Sequence, residues 1–294
     1  MLLITGATGF IGRCLLPSLL KDGHGIRVLS RSAAQGDFPR KVEVRRGDIT
    51  DPSSMKGALD DVETVVHLAG LVSYSKPKAE LFRVNVEGTR NLLAECRDVC
   101  RFVFPSSVSV YGETKERADE TYPFSPESHY GESKAEAERL VAASRIHSVI
   151  LRIAPIYGVG SASWQKNLRL LERGFPLPST RNTTHVVHVS DAAQGILKAL
   201  KRGKGAYNIA DRSPVPFSDF AGELVTLLGR KPRRMPMPFV SALARAMGMG
   251  TYLKVLTMNR NYAIDKAAEG LGYRPSADFH AEMRRMVEWY KSVS

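Results

Sequence analysis

Three glycines near the start of the chain constrain its fold more than any other feature. The apolar run Leu2–Thr5 leads into Gly6-Ala7-Thr8-Gly9-Phe10-Ile11-Gly12, and a helical pattern follows at once. In the spacing G-x-x-G-x-x-G, the first glycine permits a tight turn after a strand. The second leaves room for a pyrophosphate against the backbone, and the third lets the helix pack closely on the strand. The helix start then offers free N–H groups and a partial positive charge. Strand, glycine turn and helix in that order predict a dinucleotide site formed by Gly6, Thr8, Gly9, Phe10, Ile11 and Gly12.

The rest of the first half repeats the strand-then-helix rhythm. Short apolar runs at Ile26–Ser30, Val42–Arg45, Thr64–His67, Phe102–Pro105 and Ser148–Ile153 read as strands. Helical patterns at Ile11–Leu20, Ser53–Leu59, Ala79–Cys96 and Glu132–Ala143 lie between most of them. This alternation predicts an α/β fold, a Rossmann-type doubly wound parallel sheet of about seven strands. After Gly158 prolines become frequent, and short strands near His185–Val189 and Ala206–Ile209 separate helices. Residues 1–158 are therefore expected to form the main part of the dinucleotide-binding domain. Residues 159–294 are expected to form mostly a smaller substrate-binding domain, with short returns to the first.

Composition narrows the classes further. Of 294 residues 43% are hydrophobic and 24% charged, which excludes a disordered or fibrous chain. Lys and Arg number 42 against 30 Asp and Glu, for a net charge of +12. The cations lie in small scattered clusters without interleaved aromatics, so a solvated basic surface is expected and nucleic acid is not. No run of about 18 apolar residues predicts a membrane span. The opening residues read directly as strand and turn, not as a leader. Cys14, Cys96 and Cys100 are too few for a disulfide framework, and buried thiols in a cytoplasmic protein are the expectation. A homodimer is compatible with everything above.

Two further regions carry chemistry. The second strand ends in Ser30-Arg31, where NAD-specific sites place a carboxylate for the 2′-hydroxyl. Arg31 is instead able to pair with a 2′-phosphate, so NADP is favoured over NAD; an ordinary surface arginine is the alternative. Asp48 and Ile49, in Gly47-Asp48-Ile49, close the third strand. Asp48 is a candidate acceptor for the adenine amino group or a cap for the next helix. Tyr130 and Lys134 form Y-x-x-x-K on one helix face, where an ammonium near the phenol would lower its pKa and make it a usable proton donor and acceptor. The hydroxyl-rich stretch Ser106-Ser107-Val108-Ser109-Val110-Tyr111-Gly112 follows the fifth strand, at the end that faces the crevice of an open α/β sheet.

With these residues in view the chain resembles the extended short-chain dehydrogenases/reductases, the NAD(P)-dependent epimerase/dehydratase superfamily. Its nearest look is to the branch of 3β-hydroxysteroid dehydrogenases and dihydroflavonol reductases. The landmarks are TGATGFIG, GDITD, VVHLAG, NVEGT, SSVSVYG, YGESK, LRIAPIYGVG and VHVSDAA, in order along nearly the whole chain. The resemblance implies Tyr130 as the acid/base on the substrate oxygen, Ser107 as its hydrogen-bonding partner, and Lys134 on the nicotinamide ribose. It places Leu68, Ala69 and Gly70 beside the cofactor. Asn85 lies close to it or simply serves the helix start. His67 is expected to be a satisfied core histidine, with Ser190 capping a helix and Asp191 in its first turn.

The expected function is hydride transfer between nicotinamide and a secondary alcohol or ketone carbon of a small, apolar substrate. A nucleotide-sugar epimerase or dehydratase and a non-catalytic NADP-binding sensor or assembly factor are the alternatives. Pro155 stands where sugar-nucleotide members usually carry an asparagine, and the loop Ser179–Thr184 is short, although Arg181 in it is able to meet a phosphate. The segment Met235–Met258 reads as core or as an apolar lid.

Overall fold

The computed structural model describes residues 1–32 and 34–294. Strands β1 (Leu2–Thr5), β2 (Ile26–Ser30), β3 (Val42–Arg46), β4 (Thr64–His67), β5 (Arg101–Ser107) and β6 (His147–Ile153) join Gly205–Ile209 in one seven-stranded sheet. Every pairing in it is parallel, as the alternation predicts. From one edge the order is Gly205–Ile209, β6, β5, β4, β1, β2, β3. The chain thus winds outward from β1 in one direction and from β4 in the other. Between these two strands the order reverses, and the crevice beyond their carboxyl ends is where ligands bind in such sheets.

The helices are α1 (Phe10–Lys21), α2 (Lys78–Phe82), α3 (Gly88–Glu95), α4 (His129–Ala143), α5 (Ala162–Glu172), α6 (Val189–Lys201), α7 (Phe217–Leu227), α8 (Met237–Ala246), α9 (Gly250–Leu256), α10 (Asp265–Gly270) and α11 (Phe279–Val293). Strands buried on both faces, such as β1, need cover from both sides. One face packs against α1 and α6 through Leu15, Leu19, Ile196 and Ala199. The other packs against α3 and α4 through Leu92, Ala137 and Val141. A third core, around Leu168, Phe220, Leu224, Met283 and Met286, ties α5, α7 and α11 together beyond the sheet.

Several expectations change. The pattern at Ser53–Leu59 forms only a short 3-10 turn, Pro52–Met55, capped by Asp51. The helical run from Ala79 is interrupted by a π-turn, Arg83–Glu87, between α2 and α3. The strand near Ala206 is the seventh strand of the main sheet, so the chain returns to the first region after Gly158. Within His185–Val189 only Val187–His188 forms a strand, pairing with Ile156–Tyr157. His188, not Ser190, caps α6: its Nδ1 accepts from the Ser190 backbone N–H at 3.4 Å, and the helix already starts at Val189. Cys96 is buried, but Cys100 is exposed at the start of β5.

Candidate active site

The glycine turn is tight for identifiable reasons. Gly6 has φ of +70°, and a Cβ there would lie 2.6 Å from the Ala69 backbone nitrogen. A Cβ on Gly12 would lie 2.4 Å from the Ala7 carbonyl oxygen, so α1 sits directly on the turn. Gly9 is the N-cap of α1, and no side chain caps the helix. Thr8 and Gly9 are exposed, while Phe10 and Ile11 are half-buried. A diphosphate fits this cradle: only glycine tolerates its geometry, and the uncapped helix start faces outward.

Across the crevice, Leu68, Ala69 and Gly70 follow β4 and line the opposite lip. A relay of hydrogen bonds fixes the two lips relative to each other. The Ala69 N–H donates to Thr5 Oγ1 at 3.0 Å, and the Thr5 hydroxyl donates to His67 Nδ1 at 2.7 Å, a direction set by Thr89, whose own proton is spent on the Asn85 carbonyl. That assignment leaves the proton on His67 Nε2, which donates to Thr89 Oγ1 at 3.0 Å, and Thr89 donates to the Asn85 carbonyl at 2.7 Å. Burial, with the nearby Lys134 charge, pushes the His67 pKa down to about 3, so the ring stays neutral. His67 is the satisfied core histidine expected.

Beyond β2 and β3, the Arg31 side chain is 72% exposed and its Nη1 stands 4.0 Å from Asp48 Oδ2. The other Asp48 oxygen accepts from the Thr50 N–H and hydroxyl at 2.8 and 2.9 Å. Asp51 caps the turn that follows. Ile49 is buried against Gly88, with its carbonyl held by Asn91 at 2.9 Å. Asn85 lies inside the π-turn rather than at a helix start. Its amide grips both backbone groups of Leu71, at 2.7 and 2.9 Å, and donates to Ser133 at 2.9 Å. It therefore fixes the lip after Gly70 to α4.

Ser107, Tyr130 and Lys134 come together. Ser107 ends β5 and α4 begins at His129, where the Ser128 hydroxyl accepts from the Gly131 N–H at 3.1 Å. The half-buried Tyr130 phenol lies close enough to the Ser107 hydroxyl for that hydroxyl to draw its pKa down. Burial, aided by Tyr74, outweighs this and holds the phenol above its ordinary value. The expected lowering of the Tyr130 pKa by Lys134 is not found in this arrangement; the phenol is raised by burial instead. The buried Lys134 Nζ instead donates to the Pro105 carbonyl at 2.8 Å and lies 4.1 Å from the centre of the Phe104 ring. Burial lowers its pKa to about 7, against the raising influence of Glu138 one helical turn on.

Glu138 belongs to a buried polar network behind these residues. It accepts from Arg152 Nε at 2.8 Å and from Ser106 at 2.9 Å. Arg152 also donates to the Tyr111 hydroxyl at 2.7 Å, and Tyr111 donates to Asn208 at 2.7 Å. Ser106, Glu138 and Arg152 thus surround Ser107 and Lys134 from inside. The four-residue step from Lys134 to Glu138 is a signal in the sequence that would have found Glu138.

The substrate side contains residues that the local patterns do not reveal. Tyr74 lies edge-on to Tyr130, with ring centres 6.0 Å apart, and 5.8 Å from Tyr252. Tyr74 also lines a polar cleft of about 200 Å³ with Ser73, Lys76, Glu127, His129 and Glu132. Tyr252 lines an apolar cavity of about 80 Å³ with Trp164, Leu171, Phe217, Ala221 and Leu253. No sequence spacing links positions 74, 130 and 252. The loop Ser179–Thr184 is tied down, with the Asn182 amide on the Met258 carbonyl at 3.1 Å and Thr183–Thr184 paired to Val215–Pro216. Arg181 is exposed on it.

Comparison with known proteins places this geometry. The chain is 30% identical over 300 residues to the UDP-glucose 4-epimerase of Vibrio cholerae, covering 93% of this chain and 90% of that one. It is 26% identical over 343 residues to the 3 beta-hydroxysteroid dehydrogenase/Delta 5-->4-isomerase of Mycobacterium tuberculosis, covering 99% and 90%. Its fold matches the NAD complex of the Thermus thermophilus UDP-glucose 4-epimerase with a TM-score of 0.81 at 24% identity, over 100% of this chain and 99% of that one. Residues 2–210 match the model of the NAD dependent epimerase/dehydratase family, and with the glycine turn, the parallel sheet and the Ser107–Tyr130–Lys134 cluster in place the chain belongs to that family of NAD(P)-dependent enzymes.

Proposed function

We propose that the protein is an NADP-dependent oxidoreductase that interconverts a secondary alcohol and a ketone on an apolar substrate. The observation that carries this reading is the ring contact from Tyr130 through Tyr74 to Tyr252 at the wall of an apolar cavity. A cavity of about 80 Å³ is well below the ~300–1,000 Å³ of sites that enclose a whole drug-sized ligand, so it suits one apolar arm of the substrate. The polar cleft on the other side of Tyr74 suits the remainder. Pro155 has no side-chain donor, and its carbonyl is already used by the Val187 N–H at 3.0 Å, which leaves little there for a sugar nucleotide.

Gly6, Gly9 and Gly12 would hold the diphosphate of the cofactor. Arg31 would meet a 2′-phosphate and Asp48 the adenine edge. Leu68 to Gly70 would flank the cofactor opposite the glycine turn. The bound nicotinamide supplies a hydride acceptor or donor. Tyr130 takes the hydroxyl proton during oxidation and returns it during reduction. Ser107 donates a hydrogen bond to the same oxygen, holding it at the phenol. Lys134 would hold the nicotinamide ribose, and Glu138 favours its protonated state.

The Vibrio cholerae relative supports a second reading, a nucleotide-sugar epimerase. The two separate in one experiment: NADPH and NADH are each offered with a panel of hydroxysteroids, dihydroflavonol-type ketones and UDP-glucose. Turnover of an apolar ketone with NADPH is expected. Epimerisation of UDP-glucose with no turnover of any apolar ketone would install the second reading. No turnover alongside normal NADPH binding would favour a sensor.

A further inference from the structure

The longest stretch without a carboxylate on the C-terminal side runs from Leu224 to Ile264, and it holds seven cations: Arg230, Lys231, Arg233, Arg234, Arg245, Lys254 and Arg260. At its centre α8 is apolar almost all round. Val240 and Ala244 face inward onto Leu253, while Phe239, Leu243 and Met247, four residues apart, are 64%, 41% and 46% exposed. Met235 just ahead of the helix is 39% exposed. Residues four apart share one helix face, so these side chains form one apolar stripe of about 12 Å from Phe239 to Met247. Scattered exposed apolar residues are ordinary, but an aligned set on one helix is an interaction surface.

The stripe is flanked by exposed Lys231, Arg233, Arg234 and Arg245, none of which pairs with a carboxylate among the described residues. A convex apolar helix face rimmed by cations is the arrangement of a helix lying in a lipid interface. We propose that the exposed face of α8, with its rim of arginines and lysine, docks on the surface of an anionic phospholipid bilayer. A second copy of the chain fits this surface poorly, because facing two such helices would bring eight like charges together. The inward side of α8 places Ala244 at the wall of the apolar cavity, so docking would set that cavity beside the lipid. The inference does not depend on which substrate is turned over.

The test is flotation of the full chain with phosphatidylcholine vesicles, with and without phosphatidylglycerol at about one-third of the lipid. At about 0.1 M salt, where charges act over about 10 Å, the chain is expected to float with the anionic vesicles and to remain behind with the neutral ones. Arg233→Gln with Arg234→Gln should lower partitioning by roughly 25-fold, about fivefold for each cation near the surface. Phe239→Glu with Leu243→Glu should abolish it. Both pairs are exposed, so thermal unfolding and cofactor binding should stay at wild-type values and separate a lost surface from a lost fold. Three outcomes would overturn the proposal: no flotation of the wild type, flotation undiminished by the Glu pair, or a Phe239-dependent dimer in light scattering with no vesicle binding.

Discussion

The two sides of the crevice are built in different ways. On the cofactor side the shape is made by backbone: Gly6 against Ala69, Gly12 against Ala7, and a bare helix start. On the substrate side the shape is made by side chains from distant segments, Tyr74, Tyr252 and the apolar residues of α5, α7 and α9. A backbone cradle has few ways to change without collapsing, because a Cβ at Gly6 or Gly12 would overlap main-chain atoms. A wall of side chains changes with each substitution while the fold survives. The relatives include an epimerase and a steroid dehydrogenase, names that differ in substrate over nearly the same length of chain.

The sharpest test acts where the sides meet. Tyr130→Phe keeps the ring against Tyr74 but removes the hydroxyl proposed to move the proton. Turnover should fall about 10²–10⁴-fold while NADPH binding stays within experimental error, measured by steady-state kinetics and by cofactor titration. An equal fall in both would mean that Tyr130 serves the cofactor side alone.

A pair of substitutions tests independence. Arg31→Ala removes the guanidinium proposed to make one charge-assisted hydrogen bond to a 2′-phosphate. It should weaken NADPH by about 10- to 100-fold and leave NADH unchanged. Ala221→Met places a longer side chain in the apolar cavity and should raise KM for an apolar ketone about tenfold, with cofactor affinity unchanged. The double variant should show the sum of the two free-energy changes, since the sites share no partner. A coupling between them would break the comparison.

The smallest effect is on stability. Lys134 is buried with a pKa lowered to about 7, against about 10.5 in the unfolded chain. Below about pH 7 the ammonium is charged in both states and its burial penalty is present in full. Between about pH 7 and 10.5 the unfolded chain holds a proton that the folded one has released, so this group makes stability rise with pH. Relative to Lys134→Met, the wild-type Tm should therefore gain a few degrees across that window in calorimetry. A constant difference would place the lysine in a wetter setting than its contacts with Phe104 and Pro105 suggest.

The same division explains what could be read in the sequence. Strands β1, β2 and β4 were legible to the residue because their apolar runs are bounded by turn residues. The glycine turn, Ser107, Tyr130 and Lys134 were legible because each sits at a fixed step from an element boundary. Tyr74 and Tyr252 were not, since their meaning lies in a contact between positions 178 residues apart. The partners of Asn85 were not legible for a related reason: its amide serves Leu71 and Ser133, which only the π-turn brings within reach. His188 in place of Ser190 as a cap is a matter of one helix starting earlier than hydroxyl preference alone implies.

Asn208, on the seventh strand, has a consequence for recombination. Its side-chain oxygen accepts a hydrogen bond from the Tyr111 hydroxyl, its side-chain amide donates to the Ala118 and Ala263 carbonyls at 3.2 and 3.1 Å, and its backbone N–H donates to Glu120 at 2.7 Å. A chimaera that joins residues 1–158 of this chain to the remainder of a relative would inherit half of that junction from each parent. Unless the incoming strand also supplies an amide at position 208, Tyr111 loses its acceptor and the Arg152–Glu138 pair loses part of its cover. The seam to cut along is therefore not Gly158 but the boundary of the seventh strand, kept with its own parent, so that grafts of new specificity replace only the segments around it.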